Sequence, residues 1–192
     1  MSLRVLICGY MAAARLIELA FSRRNVRRSG PSTEGTWSRR TFPAMVALHT
    51  VVIIGTLSWG RRVHWPWLAL LLAVQPLRFW TLLTLGRQWN ARGAVADHLQ
   101  VVTTWPYAFV RHPNYAVVIT ELAALPSAFG LDRAAVTATL INAALLKIRI
   151  SEEEALLFRL PGYEEHFGDK PRFLPSLVRG RAKPAGREAS AS

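Results

Sequence analysis

The sequence predicts an all-α integral membrane protein of about five transmembrane helices, the last continuing as a cytoplasmic helix. Three observations carry this. The 192 residues are 51% hydrophobic, and the apolar positions gather into blocks separated by Arg-rich joints. Those blocks approach the roughly 20 residues a helix needs to cross a bilayer core at about 1.5 Å per residue. Seven Trp accompany them, as aromatic rings do at membrane interfaces. The third is charge: 24 Lys and Arg against 12 Asp and Glu give +12. In a soluble chain that balance would suggest nucleic acid; beside such blocks it implies membrane lipids and excludes nucleic acid as the expected partner.

Residues 2–22 form the first block, and Arg15 and Glu18, three apart, share a helix face where they can pair. Charges at that depth face a bundle interior and fit neither a signal h-region nor a cleavage site, so a retained span is expected. The following "RRNVRRSGPSTEGTWSRR" reads as a loop. Residues 42–60 make the second span, with His49 inside it as a hydrogen-bonded structural histidine. Residues 65–85 make the third, kinked at Pro76. Arg78 within it would cost about 2.5–3.5 kcal/mol at mid-bilayer and is expected off-centre or pointing into the bundle.

Residues 86–111 are polar and irregular, with a turn at "TTWPY". The fourth span runs from Pro113 to about Phe129 and carries Glu121, expected to bond to Asn142 or an Arg. Asp132 is placed to cap the fifth helix. That helix starts apolar and turns charged at "KIRISEEEALL" without a breaker, so it is expected to leave the membrane intact and run to Pro161-Gly162. Residues 176–192 are basic and poor in apolar side chains, which predicts a disordered tail. Cys8, the single cysteine, sits in an apolar stretch as a packed thiol.

With five spans, the joints after the first and third spans and the C-terminal region carry six, three and seven basic residues, and the opposite side only four. The positive-inside rule then puts the N-terminus outside and the C-terminus in the cytoplasm. Two polar clusters fall on that cytoplasmic side. In "VRHPNY", Pro113 suits the first helical position, where its missing N–H has no helical partner. His112 precedes it outside the α region, and the helix N-terminus attracts anions. In "RISEEE", Arg149 and Glu153 share a face. An interfacial helix start and a solvated helix exit explain each cluster singly. Together they offer complementary charge to a zwitterionic ligand with a flat ring, a description S-adenosylmethionine fits.

"RHPNY" followed after a span by "RISEEEALL" resembles the isoprenylcysteine carboxyl methyltransferase family, relatives of the bacterial phospholipid N-methyltransferases. The resemblance covers roughly residues 85–175, from "LGRQW" to "RFLP". It implies residues 1–85 as N-terminal transmembrane helices and 86–175 as a catalytic core. It further implies S-adenosylmethionine as cofactor, lined by Tyr107, His112, Pro113, Asn114 and Tyr115, with backbone from Val101 and Val102. Glu153 would hold the cofactor's amino group and Arg149 would meet the methyl acceptor. Arg172 would close the site from the tail. Trp105 stands where the family commonly has Gly, which bears on the contacts of residues 99–105.

The expected activity is an S-adenosylmethionine-dependent O-methyltransferase acting on a lipophilic small molecule that arrives through the bilayer of a bacterial inner membrane. The acceptor is an isoprenylcysteine-like carboxylate or, better suited to a bacterium, a lipidic phenol or pyrone hydroxyl. Arg149 favours an anionic oxygen over an amine. Rival readings are a phospholipid N-methyltransferase and a non-catalytic protein that binds anionic lipid. The five histidines show no paired spacing of a metal-ligand set.

Overall fold

The computed structural model describes residues 2–29, 32–33, 35–96 and 99–175, so the expected disordered tail at 176–192 lies outside the described residues. Five long helices run alternately between two ends of a bundle: α1 (Leu3–Arg28), α2 (Thr36–Trp59), α3 (Trp65–Leu85), α4 (Pro113–Ala128) and α5 (Asp132–Leu157). A short α6 (Tyr163–Phe167) follows. A two-residue antiparallel pairing joins β1 (Ser32–Thr33) to β2 (Val95–Ala96), tying the α1–α2 connection to the loop after α3.

The basic joint after α1 is less of a loop than expected. α1 continues through Arg28, because Arg is a good helix former and Arg27 and Arg28 lie at the negative end of the helix dipole. α2 starts at Thr36 rather than 42, with Pro43 accommodated inside it. Its start depends on a distant residue. Glu152 of α5 accepts hydrogen bonds from the backbone N–H of Trp37 at 3.0 Å and of Ser38 at 2.6 Å. It thereby caps a helix more than 100 residues upstream. Glu152→Ala is expected to destabilise the protein by about 1 kcal/mol, the usual loss of a cap. Faster hydrogen exchange confined to the first turn of α2 would be the measured sign.

α1, α2, α3 with its following turn, and α5 are each long and apolar enough to cross a membrane. The expected fourth span differs. α4 has 16 residues, about 24 Å of helix, which falls short of the ~30 Å core. Eleven of those residues are buried, packed against α3, α5 and α2. Enclosed this way, α4 needs little lipid-facing surface. It still runs from the end bearing Pro113 to the opposite end, where the carbonyls of Phe129 and Ala128 accept from the backbone of Arg61 and His64 at 3.2 and 2.8 Å. Asp132 does not cap α5: the N-cap is Leu131, and Asp132 lies in the first turn without a cap hydrogen bond. α5 itself ends at Leu157, just ahead of the expected Pro161-Gly162 stop.

Apolar packing fills the end away from Pro113, with Cys8 and Met11 of α1 against Leu68 and Leu71 of α3 and Leu122, Leu125 and Phe129 near α4. Between that core and the "RHPNY" end lies a four-charge cluster. Arg78 grips Glu18 through Nε and Nη2, both at 2.5 Å, and Glu121 through Nη1 at 3.0 Å. Arg15 pairs with Glu18 at 3.2 Å and with Glu121 at 3.4 Å. Gln75 adds a bond to Glu121 at 3.0 Å. Arg78 therefore does point into the bundle. Glu121 takes the arginine option, while Asn142, fully buried, has no partner among the described residues.

Candidate active site

The entry of α4 and the exit of α5 meet. One cavity is lined by His112, Pro113, Asn114 and Tyr115 from the start of α4, and by Arg149 and Glu153 from α5. Val101, Val102 and Tyr107 from the intervening loop complete the set, so all nine residues singled out from the sequence face one space. Burial pushes the Tyr107 hydroxyl well above its ordinary range, with Glu153 adding to the effect, so it stays neutral at any physiological pH. Trp105 does not intrude. Its ring lies 3.9 Å from that of Trp80, on the outer face of the chain, which leaves the stretch from Leu99 to Val102 free to line the cavity.

The three adjacent glutamates have separate partners. Glu152 caps α2. Glu154 accepts from His112 Nε2 at 3.1 Å and from both Nε and Nη2 of Arg172 at 3.1 and 2.6 Å, with Arg111 3.5 Å away. The backbone N–H groups of Arg111 and His112 donate to the carbonyls of Pro171 and Arg172 at 3.0 and 2.8 Å. The segment around Arg172 is thus strapped across the "RHP" motif, and Phe173 packs with the Tyr115 cluster. Protein cations therefore compensate Glu154, and only Glu153 faces the cavity, accepting a short hydrogen bond from the Tyr115 hydroxyl. Asn114 Oδ1 is buried at the cavity wall without a partner among the described residues. A carboxylate, an unpartnered carbonyl oxygen, aromatic walls and a helix N-terminus are a donor and acceptor set that fits an amino-acid-bearing nucleoside such as S-adenosylmethionine.

Sequence reasoning missed the loop 86–96, which has no periodicity to reveal it. Asn25 of α1 donates to the carbonyls of Gly86 and Trp89 at 3.0 and 2.7 Å, and Ser22 Oγ accepts from the N–H of Ala91 at 2.9 Å. Asn90 Oδ1 closes the turn on the N–H groups of Arg92 and Ala94. The platform so fixed offers the Ala91 carbonyl to Arg149 Nη2 at 2.9 Å, which orients the buried guanidinium. Gly93, at φ 71°, passes so close that a Cβ there would sit 3.2 Å from Arg149 Nη2 and 3.5 Å from Glu153 Oε2. Tyr163 and Phe167 of α6 close the wall beside Tyr107.

A second cavity, about 400 Å³, adjoins the first. Leu16 and Leu19 of α1 and Phe42, Met45, Ile53 and Ile54 of α2 make most of it apolar, and Leu16 and Ile54 are largely exposed on the outer face of the bundle. Trp89, Ala91, Asn114, Tyr115 and Arg149 line both cavities. A polar chamber at one end of the bundle therefore meets an apolar one between α1 and α2, and Arg149 stands at their junction.

Fold and site together define a multi-pass membrane protein in which a cavity with polar side chains and a largely apolar one share a wall at Arg149. The sequence profile of the isoprenylcysteine carboxyl methyltransferase family matches residues 67–159, a stretch that holds nearly all of α3, the whole of α4 and α5, and the site residues. The protein named "Uncharacterized protein YpbQ" from Bacillus subtilis (strain 168) is 28% identical over 159 residues, covering 79% of this chain and 95% of YpbQ.

Proposed function

We propose that the protein is an S-adenosylmethionine-dependent O-methyltransferase that takes its cofactor from the cytoplasm and a lipophilic acceptor from the bilayer. The observation that carries this reading is the junction of the two cavities at Arg149, one cavity suited to a zwitterionic nucleoside and the other to an alkyl or prenyl chain. Glu153 would hold the cofactor's ammonium group, Asn114 Oδ1 a further donor, and Tyr107, His112, Pro113 and Tyr115 the walls, with backbone from Val101 and Val102. Bound there, S-adenosylmethionine supplies an electrophilic methyl group on a sulfonium.

The protein's own task is then positional. Arg149 holds the acceptor oxygen as an anion at the junction, and holding reacting atoms in line contributes several kcal/mol. The enclosed site excludes water, which strengthens that charge interaction. An acidic enolic pyrone would reach Arg149 already ionised, whereas a phenol would give up its proton to the aqueous buffer as the Arg149 guanidinium lowers its pKa and stabilises the oxyanion; a guanidinium suits that oxyanion better than an amine nucleophile. The basic joints flanking the site end support a cytoplasmic face in a bacterial inner membrane, α4 serving as an enclosed fifth crossing.

Radiolabelled cofactor offered to the purified protein with an alkylphenol, a prenylcysteine and phosphatidylethanolamine tests the reading. Label should enter the alkylphenol. Label in phosphatidylethanolamine alone would instead make it an N-methyltransferase, and no cofactor affinity by calorimetry would end the enzyme reading. Glu153→Ala is expected to weaken binding of the demethylated product at least about 30-fold, the lower range for truncating one partner of a buried charge pair. His112→Ala is expected to weaken it less, by releasing Glu154.

A further inference from the structure

Within the apolar cavity, His49 has a capacity the bundle does not use. His49 projects from α2 into the wall shared with Leu16, Ile53 and Arg15. Its Nδ1 lies 2.8 Å from the Met45 carbonyl one turn back. A carbonyl only accepts, so Nδ1 carries the proton and Nε2 is left as a bare lone pair. Nε2 is sealed from solvent and has no hydrogen-bond partner among the described residues. Burying such an acceptor unpaired is unfavourable, and a ligand bearing a donor would relieve it.

Position narrows the ligand. Met45 packs beside Tyr115, whose hydroxyl bonds to Glu153 in the polar cavity. His49 is one helical turn further along α2, about 6 Å deeper into the bundle. Of the neighbouring guanidiniums, Arg78 and both Nη groups of Arg15 are directed at Glu18 and Glu121, and Arg15 Nε has no partner among the described residues. A molecule with its reacting oxygen at Arg149 therefore meets an unused acceptor roughly one ring's width deeper, while its chain can leave between Leu16 and Ile54.

We propose that His49 Nε2 is a second recognition point for the methyl acceptor, receiving a hydrogen bond from a hydroxyl that does not react. The substrate class is then a lipophilic ring carrying two hydroxyl groups rather than one. This rests on the methyltransferase reading of the same cavity, but its test does not require turnover.

Calorimetry on the full chain in lipid nanodiscs would compare an alkylresorcinol, the matching meta-alkylphenol and the analogue with fluorine in place of the second hydroxyl. Wild type should bind the dihydroxy compound about tenfold more tightly than either of the others, equivalent to about 1.4 kcal/mol. His49→Phe should bring all three within about twofold, and His49→Gln, which keeps an acceptor, should restore part of the preference. Equal binding of the three ligands by wild type would overturn the proposal, even if neither variant folds. So would a preference that survives in His49→Phe. Turnover without a donor preference would remove the subsite and keep the enzyme, whereas a His49-dependent preference without any methyl transfer would do the reverse.

Discussion

Arg78→Met is expected to lower the stability of the protein by about 3–5 kcal/mol, the cost of leaving a buried charge without its partner. Arg78 is 3% exposed and makes three short contacts to Glu18 and Glu121, which sit on α1 and α4. Without it, two carboxylates share Arg15 alone, and the cluster passes from neutral to a net charge of −1. Adding Glu121→Gln to Arg78→Met restores neutrality, leaving Arg15 and Glu18 as an isolated pair. The double variant should therefore recover a good part of the loss, because removing both members of a buried pair is far less damaging than removing one. Denaturant unfolding of the four species in mixed micelles measures both numbers. A single-variant loss under about 1 kcal/mol would mean that the cluster adds little to the joining of α1, α3 and α4.

The second large effect is catalytic. Arg149→Ala should reduce the single-turnover rate of methyl transfer by about 100- to 1,000-fold, the range seen when one donor to a developing or bound oxyanion is removed. Cofactor affinity should stay within about threefold, since Glu153 and Asn114 remain. Arg149→Lys should rescue little: a lysine places one point charge where the guanidinium spans both the Ala91 carbonyl and the junction of the cavities. A variant that lost cofactor binding as severely as turnover would move Arg149 from the acceptor side to the cofactor side of the site.

Much of this was legible in the linear sequence, and the boundary has a physical cause. Spans announce themselves by composition, and the shared face of Arg149 and Glu153 by helical spacing, because both signals are local. His112 to Tyr115 could be placed through Pro113, whose geometry marks a helix start. What stayed hidden depends on long-range contact. Arg15 and Glu18 show their pairing at a spacing of three, but nothing local says that Arg78 and Glu121, 60 and 103 residues beyond Glu18, complete the cluster. Three consecutive glutamates look equivalent until the fold sends one to the start of α2, one to Tyr115 and one to His112 and Arg172. The platform from Gly86 to Ala96 offers no periodicity, since its order comes from Ser22, Asn25 and Asn90 bonding to loop backbone. The bounds of α4 were legible too, Pro113 to Ala128 against an expected end near Phe129, but its enclosure by α2, α3 and α5 was not, because burial by neighbouring helices is a long-range property.

The adjoining cavities of unlike polarity also bear on how rates would scale. An enzyme loaded from water on one side and from a leaflet on the other obeys two concentration scales at once. Cofactor saturation would follow molarity in the aqueous phase, while acceptor saturation would follow mole fraction among the surrounding lipids. Adding inert phospholipid at constant substrate would then slow the reaction by surface dilution, with no change in the affinity of the pocket itself.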